Sequence, residues 1–394
     1  MLLPVVRLKT LRNSRHPWIF RKMVRQPRQA VLPPGSLVEV RDRNGVFVGR
    51  AFYHPENTVS LRLLTENPVE EVNRLFFARR FARARELREA VLDQAAIGDS
   101  WRLVHAEADG LPGLVVDKFA DLLIIQPFVA GWAHVMDWVA ESLAELFPGC
   151  RLAVRSDRRV EEKEGLSFAG WVAKYPPPTG TAITENGIRY KVDFVSGHKT
   201  GFFLDQRDNR ARVAGLSRDR NVLDLCCYTG GFALSAWKGG ARKVEAVDLD
   251  EKVLTAAAEN SCLNQAGGRV GLIHADAFDI CRRYRETGRL YDLIILDPPK
   301  FATEIADVEK ALKAYHDLNL AALGVAAPGA FFVTCSCSGA VPEERWRQTV
   351  RQAAAAAGRS LVVFHAAGAG PDHPVSSDFP QGRYLKAVFA RVDT

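Results

Sequence analysis

Among the polar residues in or just after short apolar runs in the second half of this chain, four acids and one thiol stand out. Val222–Leu225 carries Asp224 and leads into Cys226 and Cys227. Lys243–Val247 leads into Asp248, and 270–274 leads into Asp276. The run 291–296 leads into Asp297, and Ala330–Cys335 leads into Ser336 and Cys337. Side chains at the carboxyl ends of parallel strands line one crevice, so these five residues are the candidates for chemistry.

A carboxylate ending the second strand of such a unit can accept both hydroxyl protons of a ribose. Asp248, 24 residues after Asp224, has the spacing for it. The turn Tyr228-Thr229-Gly230-Gly231 lets the backbone approach a ligand. It lacks the three-glycine spacing of dinucleotide sites, with Cys226 and Tyr228 where glycines would help. That points away from a pyrophosphate on the helix N-terminus, and so from NAD. A ligand with a ribose and no phosphate, such as S-adenosylmethionine, suits the pattern. Asp224, Tyr228, Thr229, Gly230 and Asp248 are then its expected contacts. Asp276, with Ala277 beside it, either accepts the amine of an adenine or caps the next helix, and one residue can do both.

In Asp297-Pro298-Pro299-Lys300-Phe301, two prolines make a rigid turn and remove two backbone donors. Such a turn presents Asp297 to a planar base, with Phe301 available to stack. Asp-Pro-Pro at this place signals methyl transfer to a nucleobase or another planar nitrogen or carbon centre. Ring nitrogens and amines need no further help. Pyrimidine C5 does, because it is a poor nucleophile until a thiolate adds at C6. Cys337, in Ser-Cys-Ser-Gly, is the candidate thiolate, with Lys300 nearby by topology, whereas Cys335 lies inside an apolar run and reads as a core residue.

The elements that must position these residues alternate as strands and helices from Asn221 onward. Strands are expected at 222–226, 243–247, 270–274, 291–296, 330–336, 361–364 and 384–390. This predicts an α/β fold with a mostly parallel sheet covered on both faces. Before it, Gly197–Arg210 is polar and glycine-bearing. It is either a domain linker or a loop over the strand ends, with Asp205 and Gln206 toward cofactor and Lys199 or Arg207 toward phosphate. Residues 1–67 read as a small β domain with a hairpin at Asn44-Gly45. A linker helix is expected within 68–99, over 68–92, with Val69, Val72, Leu75, Phe76, Ala82 and Leu87 on its apolar side and arginines on the solvated side. Residues 100–195 read as a mixed α/β domain, and 196–394 as the nucleotide-binding domain.

Charge is uneven along the chain. Residues 1–92 hold 18 basic and 8 acidic side chains, a net of +10, against +7 for the whole sequence. Arg7, Lys9, Arg12, Arg15, Arg21, Lys22, Arg25 and Arg28 stand without a single acid among them, interleaved with Trp18 and Phe20. This predicts a phosphate-facing surface for a nucleic acid. Seven cysteines, an odd number with no CxxC pair, suit a reducing compartment and point to no structural metal. No stretch approaches a membrane span, and the N-terminal apolar run is too short for a secretory signal. A cytoplasmic location is the expectation.

Taken together, these motifs resemble the bacterial 23S ribosomal RNA cytosine-C5 methyltransferases of the large-subunit type. The marks are His16-Pro17-Trp18-Ile19-Phe20, Ala106–Gly113, Gly197-His198-Lys199-Thr200-Gly201, Leu204–Asp208, Tyr228–Phe232, Asp297–Phe301 and Ser336–Gly339. The resemblance covers nearly the whole chain. It implies a PUA-like RNA-binding domain, a mixed α/β central domain and a Rossmann-like class I domain that uses S-adenosylmethionine. It implies Cys337 as nucleophile, 23S rRNA or a large-subunit assembly intermediate as partner, and a homodimer. Related enzymes carry a second cysteine where this chain has Lys300, so Asp297, Lys300 or a water is left to assist elimination. Two further readings stand beside this one: methylation of an exocyclic amine or guanine N7 without a nucleophile, and a non-catalytic RNA-binding assembly factor.

Overall fold

The computed structural model describes residues 3–25, 32–194 and 201–393. Arg28, Gly197 to Thr200 and with them Lys199 lie outside the described residues. The chain divides into two compact units. The first is Met1–Ile183, Val192–Phe202 and Pro371–Gly382; the second is Thr184–Lys191, Phe203–Gly370 and Arg383–Thr394.

The first unit opens with β1 (Val5–Arg7), β2 (Trp18–Phe20), β3 (Ser36–Arg41), β4 (Phe47–Tyr53) and β5 (Val59–Thr65), in the order β1-β3-β4-β5-β2. The expected hairpin joins β3 to β4. Asp42 accepts from the amides of Asn44 at 2.8 Å and Val46 at 3.0 Å, and Gly45 takes φ +84°. The three-residue strand β2 was not expected. Among the described residues it pairs with β5 alone, at the sheet's edge, and carries Trp18 into the protein's own packing. The Trp18 indole donates to Glu107 at 2.7 Å, Arg62 lies 4.9 Å over its ring, and Phe379 packs at 4.7 Å. Trp18 therefore does not interleave with the basic residues on an open face. Arg7, Lys9, Arg15, Arg21, Lys22 and Arg25 are all exposed.

The expected helix over 68–92 is α1, Arg74–Glu86, followed by a wider turn over Leu87–Val91. Asn73 caps it, accepting from the Phe76 amide at 3.1 Å, and this fixes the start six residues later than expected. Val69 and Leu75, placed on the apolar side by periodicity, are 84% and 57% exposed. Phe76, Phe77, Phe81 and Ala84 are buried instead. Arg88 is also buried, gripping both carboxylate oxygens of Asp109 at 2.6 and 2.9 Å. The helix is thus a core element of this unit, with a stripe of phenylalanines facing inward.

After α2 (Gln94–Ile97), a second sheet runs β6 (Ser100–His105), β7 (Leu114–Phe119), β8 (Leu122–Pro127) and β9 (Arg151–Val154) in sequential order. Between its last two strands lies α3 (Met136–Leu146), and α4 (Arg158–Glu164) and α5 (Ala169–Lys174) follow. One apolar cluster joins Phe52 and Leu64 of the first sheet to Phe77, Val116, Trp132 and Val139. The hairpin β10 (Gly180–Glu185) and β11 (Ile188–Asp193) turns at Asn186-Gly187, both at positive φ, as a tight hairpin requires.

The second unit alternates as expected. Helix α6 (Arg207–Leu216) precedes β12 (Asn221–Leu225), α7 (Gly231–Lys238), β13 (Lys243–Asp248), α8 (Glu251–Leu263), β14 (Val270–His274), α9 (Ala277–Glu286) and β15 (Tyr291–Leu296). Then come α10 (Val308–Leu323), β16 (Ala326–Ser336), α11 (Glu343–Ala356), β17 (Ser360–Ala367) and β18 (Lys386–Asp393). The sheet order is β14-β13-β12-β15-β16-β18-β17. All neighbours are parallel except β18, which runs antiparallel to β16 and β17. The order reverses between β12 and β15, so a crevice opens at their carboxyl ends. Among the described residues no helix is long and apolar enough to cross a membrane.

Candidate active site

The turn after β12 is held in a conformation that its residues resist. Cys226 and Tyr228 both have positive φ, 62° and 51°, where a side chain crowds its own backbone. Asp248, ending β13, restrains the turn: its carboxylate accepts from the Tyr228 amide at 2.9 Å and from the Asp250 amide at 3.0 Å. Asn260 donates to the Thr229 carbonyl at 3.1 Å, and Gly230 completes the turn at φ +82°. Each carboxylate oxygen has two acceptor positions, so Asp248 still has acceptor capacity for hydroxyl groups.

Asp224 lies within β12 and is fully buried. Neither carboxylate oxygen has a hydrogen bond of ordinary geometry. Burial, and after it the charge of Asp297, pushes this carboxyl well above the usual carboxylate range; the nearby Ala233 amide opposes the rise and Asp248 adds to it. Asp276 caps α9, accepting from Phe278 at 2.8 Å and Asp279 at 3.3 Å through one oxygen, and Ala277 is the first residue of that helix. Two apolar side chains next to these acids in sequence were not anticipated: Leu249 and Phe278 are 66% and 42% exposed. Large exposed apolar residues bracketing two strand ends are a signal that sequence reading can use.

Asp297 follows β15, its amide donating to the Leu225 carbonyl at 3.3 Å, which ties it to β12. Its carboxylate accepts from the Gln206 amide at 3.0 Å, and the Gln206 carbonyl accepts from Asn209 at 2.6 Å. The segment before α6 thus reaches this end of the sheet. Asp205 is also buried there and accepts from the Tyr384 hydroxyl at 2.5 Å. Arg207 is buried as well, which removes it from any open phosphate-facing surface.

Cys337 follows β16 and is half-buried, whereas Cys335 is fully buried and its thiol is pushed well up by burial. Ser338, one residue on, pins the two loops together. Its hydroxyl accepts from the amides of Phe301 and Ala302, both at 3.1 Å, and is hydrogen-bonded to the Tyr315 hydroxyl at 2.9 Å. Ser336 donates to the same Tyr315 oxygen at 2.9 Å. The loop bearing Asp297 and the loop bearing Cys337 therefore share one buried frame. Phe301 packs edge-on against Tyr315 at 4.8 Å, so its ring is partly engaged below the loop. Lys300 is exposed. Lys386, which sequence reading passed over, is buried beside the Cys337 loop; its only sequence signal is a lone lysine heading an apolar strand.

Residues 157–370 match the family model of S-adenosylmethionine-dependent methyltransferases, and residues 9–66 match that of PUA-like domains. The chain is 39% identical over 382 residues to the ribosomal RNA large subunit methyltransferase I of Shewanella denitrificans, covering 96% of each chain. It is 36% identical, with the same coverage, to the protein of that name from Vibrio vulnificus. A solved structure described as a methyltransferase complexed with S-adenosylhomocysteine superposes with a TM-score of 0.82 at 20% identity, over 99% of this chain and 100% of that one. At that identity the likeness is one of fold.

Proposed function

We propose that this chain, which belongs to the S-adenosylmethionine-dependent methyltransferases and to the family of the ribosomal RNA large subunit methyltransferases I, methylates cytosine C5 in 23S rRNA through a covalent bond from Cys337 to C6. The observation that carries the reading is the shared frame: Ser338 holds the turn after Asp297 against the turn that bears Cys337. A nucleophile and an acid held together serve a base that must be gripped and attacked at once.

The residues fit the cofactor. Asp224 is a buried carboxyl with no hydrogen bond of ordinary geometry, acted on by Asp297 and Asp248, and this acidic pocket suits a ligand carrying a sulfonium and an ammonium. Asp248 would take the ribose hydroxyls, Tyr228, Thr229 and Gly230 the backbone side of the ligand, and Asp276 with Ala277 the adenine edge. Leu249 and Phe278 supply apolar surface for the ring. S-adenosylmethionine, when bound, supplies the electrophilic methyl group that C5 takes up.

The chain's own residues do the rest. The exposed basic residues of the first unit hold phosphates and add a salt-dependent affinity. The target base leaves its stack to reach the crevice. Asp297, oriented by Gln206, accepts from the amino edge of cytosine. Cys337 as thiolate adds its electron pair to C6, which makes C5 nucleophilic. Once C5 is substituted, a base removes the C5 proton, the C5–C6 double bond re-forms, and the sulfur leaves with its electron pair.

RNA containing 5-fluorocytidine tests this, since fluorine at C5 cannot be removed as a proton. The expected result is a protein–RNA adduct that survives denaturation with the native chain and is absent with Cys337→Ala. An adduct that persists in Cys337→Ala, or none with the native chain, overturns the reading.

A further inference from the structure

Lys386 is a buried cation with no anion assigned to it. It opens β18 and pairs with Ser336 of β16 in the antiparallel ladder, which places it beside the turn that carries Cys337. Its side chain is 3% exposed, and its ammonium donates to the carbonyls of Ser338 at 2.7 Å and Val341 at 2.6 Å. An ammonium has three protons, and the third has no partner among the described residues. No carboxylate of the described residues lies within ion-pair distance of it. Burying a cation on carbonyl dipoles alone is costly, and such an arrangement persists where an anion completes it.

The groups around this pair can be named element by element. Glu343 of α11 acts on Lys386 but is shared between Arg347 at 3.7 Å and Arg383 at 3.4 Å. Cys337 is the other ionisable group acting on Lys386, raising its affinity for the proton. Tyr315 of α10 and Cys335 of β16 lie within electrostatic reach of Cys337, and Asp297 after β15 acts on both of them. Of these, Asp297 opposes a second negative charge, while the tyrosine and the buried thiol are neutral. Arg347 and Arg383 are paired with Glu343, which leaves Lys386 as the cation among the described residues that acts with Cys337.

We propose that Lys386 is a positioning residue for Cys337: it clamps the turn after the thiol through the Ser338 and Val341 carbonyls and supplies the counter-charge for the Cys337 thiolate. The proposal rests on the reading of Cys337 as nucleophile. In the resting step the S–H bond breaks, its proton goes to solvent, and its electron pair stays on sulfur beside an ammonium that keeps all three protons. Burial brings the Lys386 amine down to about 8, with Cys337 and Glu343 pulling it back up, so at neutral pH it stays charged. An ordinary thiol titrates near about 8.5 and is only a few per cent ionised at neutral pH, so a neighbouring cation has a large effect on the reactive fraction.

The test is the pH dependence of Cys337 alkylation by iodoacetamide, read on the Cys337 peptide by mass spectrometry in the full chain. Native protein, Lys386→Met and Lys386→Arg are compared, with folding followed by circular dichroism and S-adenosylmethionine binding. The native midpoint is expected at least about one unit below 8.5. Lys386→Met should raise it by about a unit, with roughly tenfold slower alkylation at neutral pH, and Lys386→Arg should stay near native. An unchanged midpoint in a folded Lys386→Met protein overturns the proposal. Should that variant fail to fold, a native midpoint at or above about 8.5 overturns it, and a low midpoint kept by Lys386→Arg supports it. The readout needs no RNA, so it separates from a failure of the cytosine reading, which would appear as 5-methylcytidine still formed by Cys337→Ala.

Discussion

The Gln206 side-chain amide donates to the Asp297 carboxylate at 3.0 Å, and Gln206 is itself oriented by Asn209 at 2.6 Å. A residue ninety-one positions earlier in the chain thereby holds one oxygen of the acid. Gln206→Leu keeps the bulk and removes the donor. A hydrogen bond to a charged group is worth about 1.5 to 3 kcal/mol, so kcat should fall about tenfold or more. Asn209→Ala, acting one bond further out, should cost less. Steady-state methylation of rRNA by both variants checks the order; equal losses, or none for Gln206→Leu, would contradict it.

Asp224 gives a stability effect whose sign follows from its surroundings. Its folded carboxyl titrates above the usual range, chiefly from burial. The native state therefore binds more protons than the unfolded chain between the ordinary carboxylate range and the raised value. Stability is lost as pH rises through that window. Asp224→Asn removes the loss. Without cofactor, the variant should melt with the native protein near about pH 4 and above it near about pH 8. S-adenosylmethionine should raise the native melting temperature more than that of the variant. Thermal denaturation at both pH values, with and without cofactor, decides; a variant less stable than native near about pH 8 would refute the account.

Ser338 tests the shared frame. Ser338→Ala strands the buried Ala302 amide and the partly buried Phe301 amide, a buried one costing about 1 to 3 kcal/mol when unsatisfied, and frees the two loops from one another. A fall in kcat of roughly a hundredfold is expected with cofactor affinity kept, because the residues proposed for the cofactor's ribose and adenine lie on β12 and the turn after it, at the end of β13 and at the start of α9. Tyr315→Phe keeps the Ser338 acceptor and should lose less. Isothermal titration with S-adenosylmethionine alongside kcat separates the effects; a cofactor affinity that falls in step with kcat would sink the claim.

Much of the second unit was legible because strands buried on both faces read as apolar runs, and the polar residue that ends each run stands out. Asp248, Asp276, Asp297 and Cys337 stand out that way, and the structure places each at or just after a strand end or at a helix cap. The S-adenosylmethionine dependence expected from the ribose-without-phosphate pattern agrees with the family. The first unit was harder. Periodicity alone put Val69 and Leu75 inside and began the helix too early, whereas Asn73 as a cap and the phenylalanines at 76, 77 and 81 carry the true register. Arg88 and Lys386 were missed for one reason: a lone cation reads as solvated, and only tertiary contact reveals its carboxylate or carbonyl partners. The packing of Trp18 was not legible because its partners, Glu107, Arg62 and Phe379, are distant in sequence.

The measurement that bears most directly on the central claim is methyl transfer from labelled S-adenosylmethionine to 23S rRNA, with the modified nucleoside identified by mass. Native protein, Cys335→Ala and Cys337→Ala are compared. The account predicts 5-methylcytidine from the first two and none from Cys337→Ala. Label on another nucleoside that persists in Cys337→Ala would contradict it, leaving the thiol structural and the Asp297-Pro298-Pro299 turn as a site for methylating nitrogen.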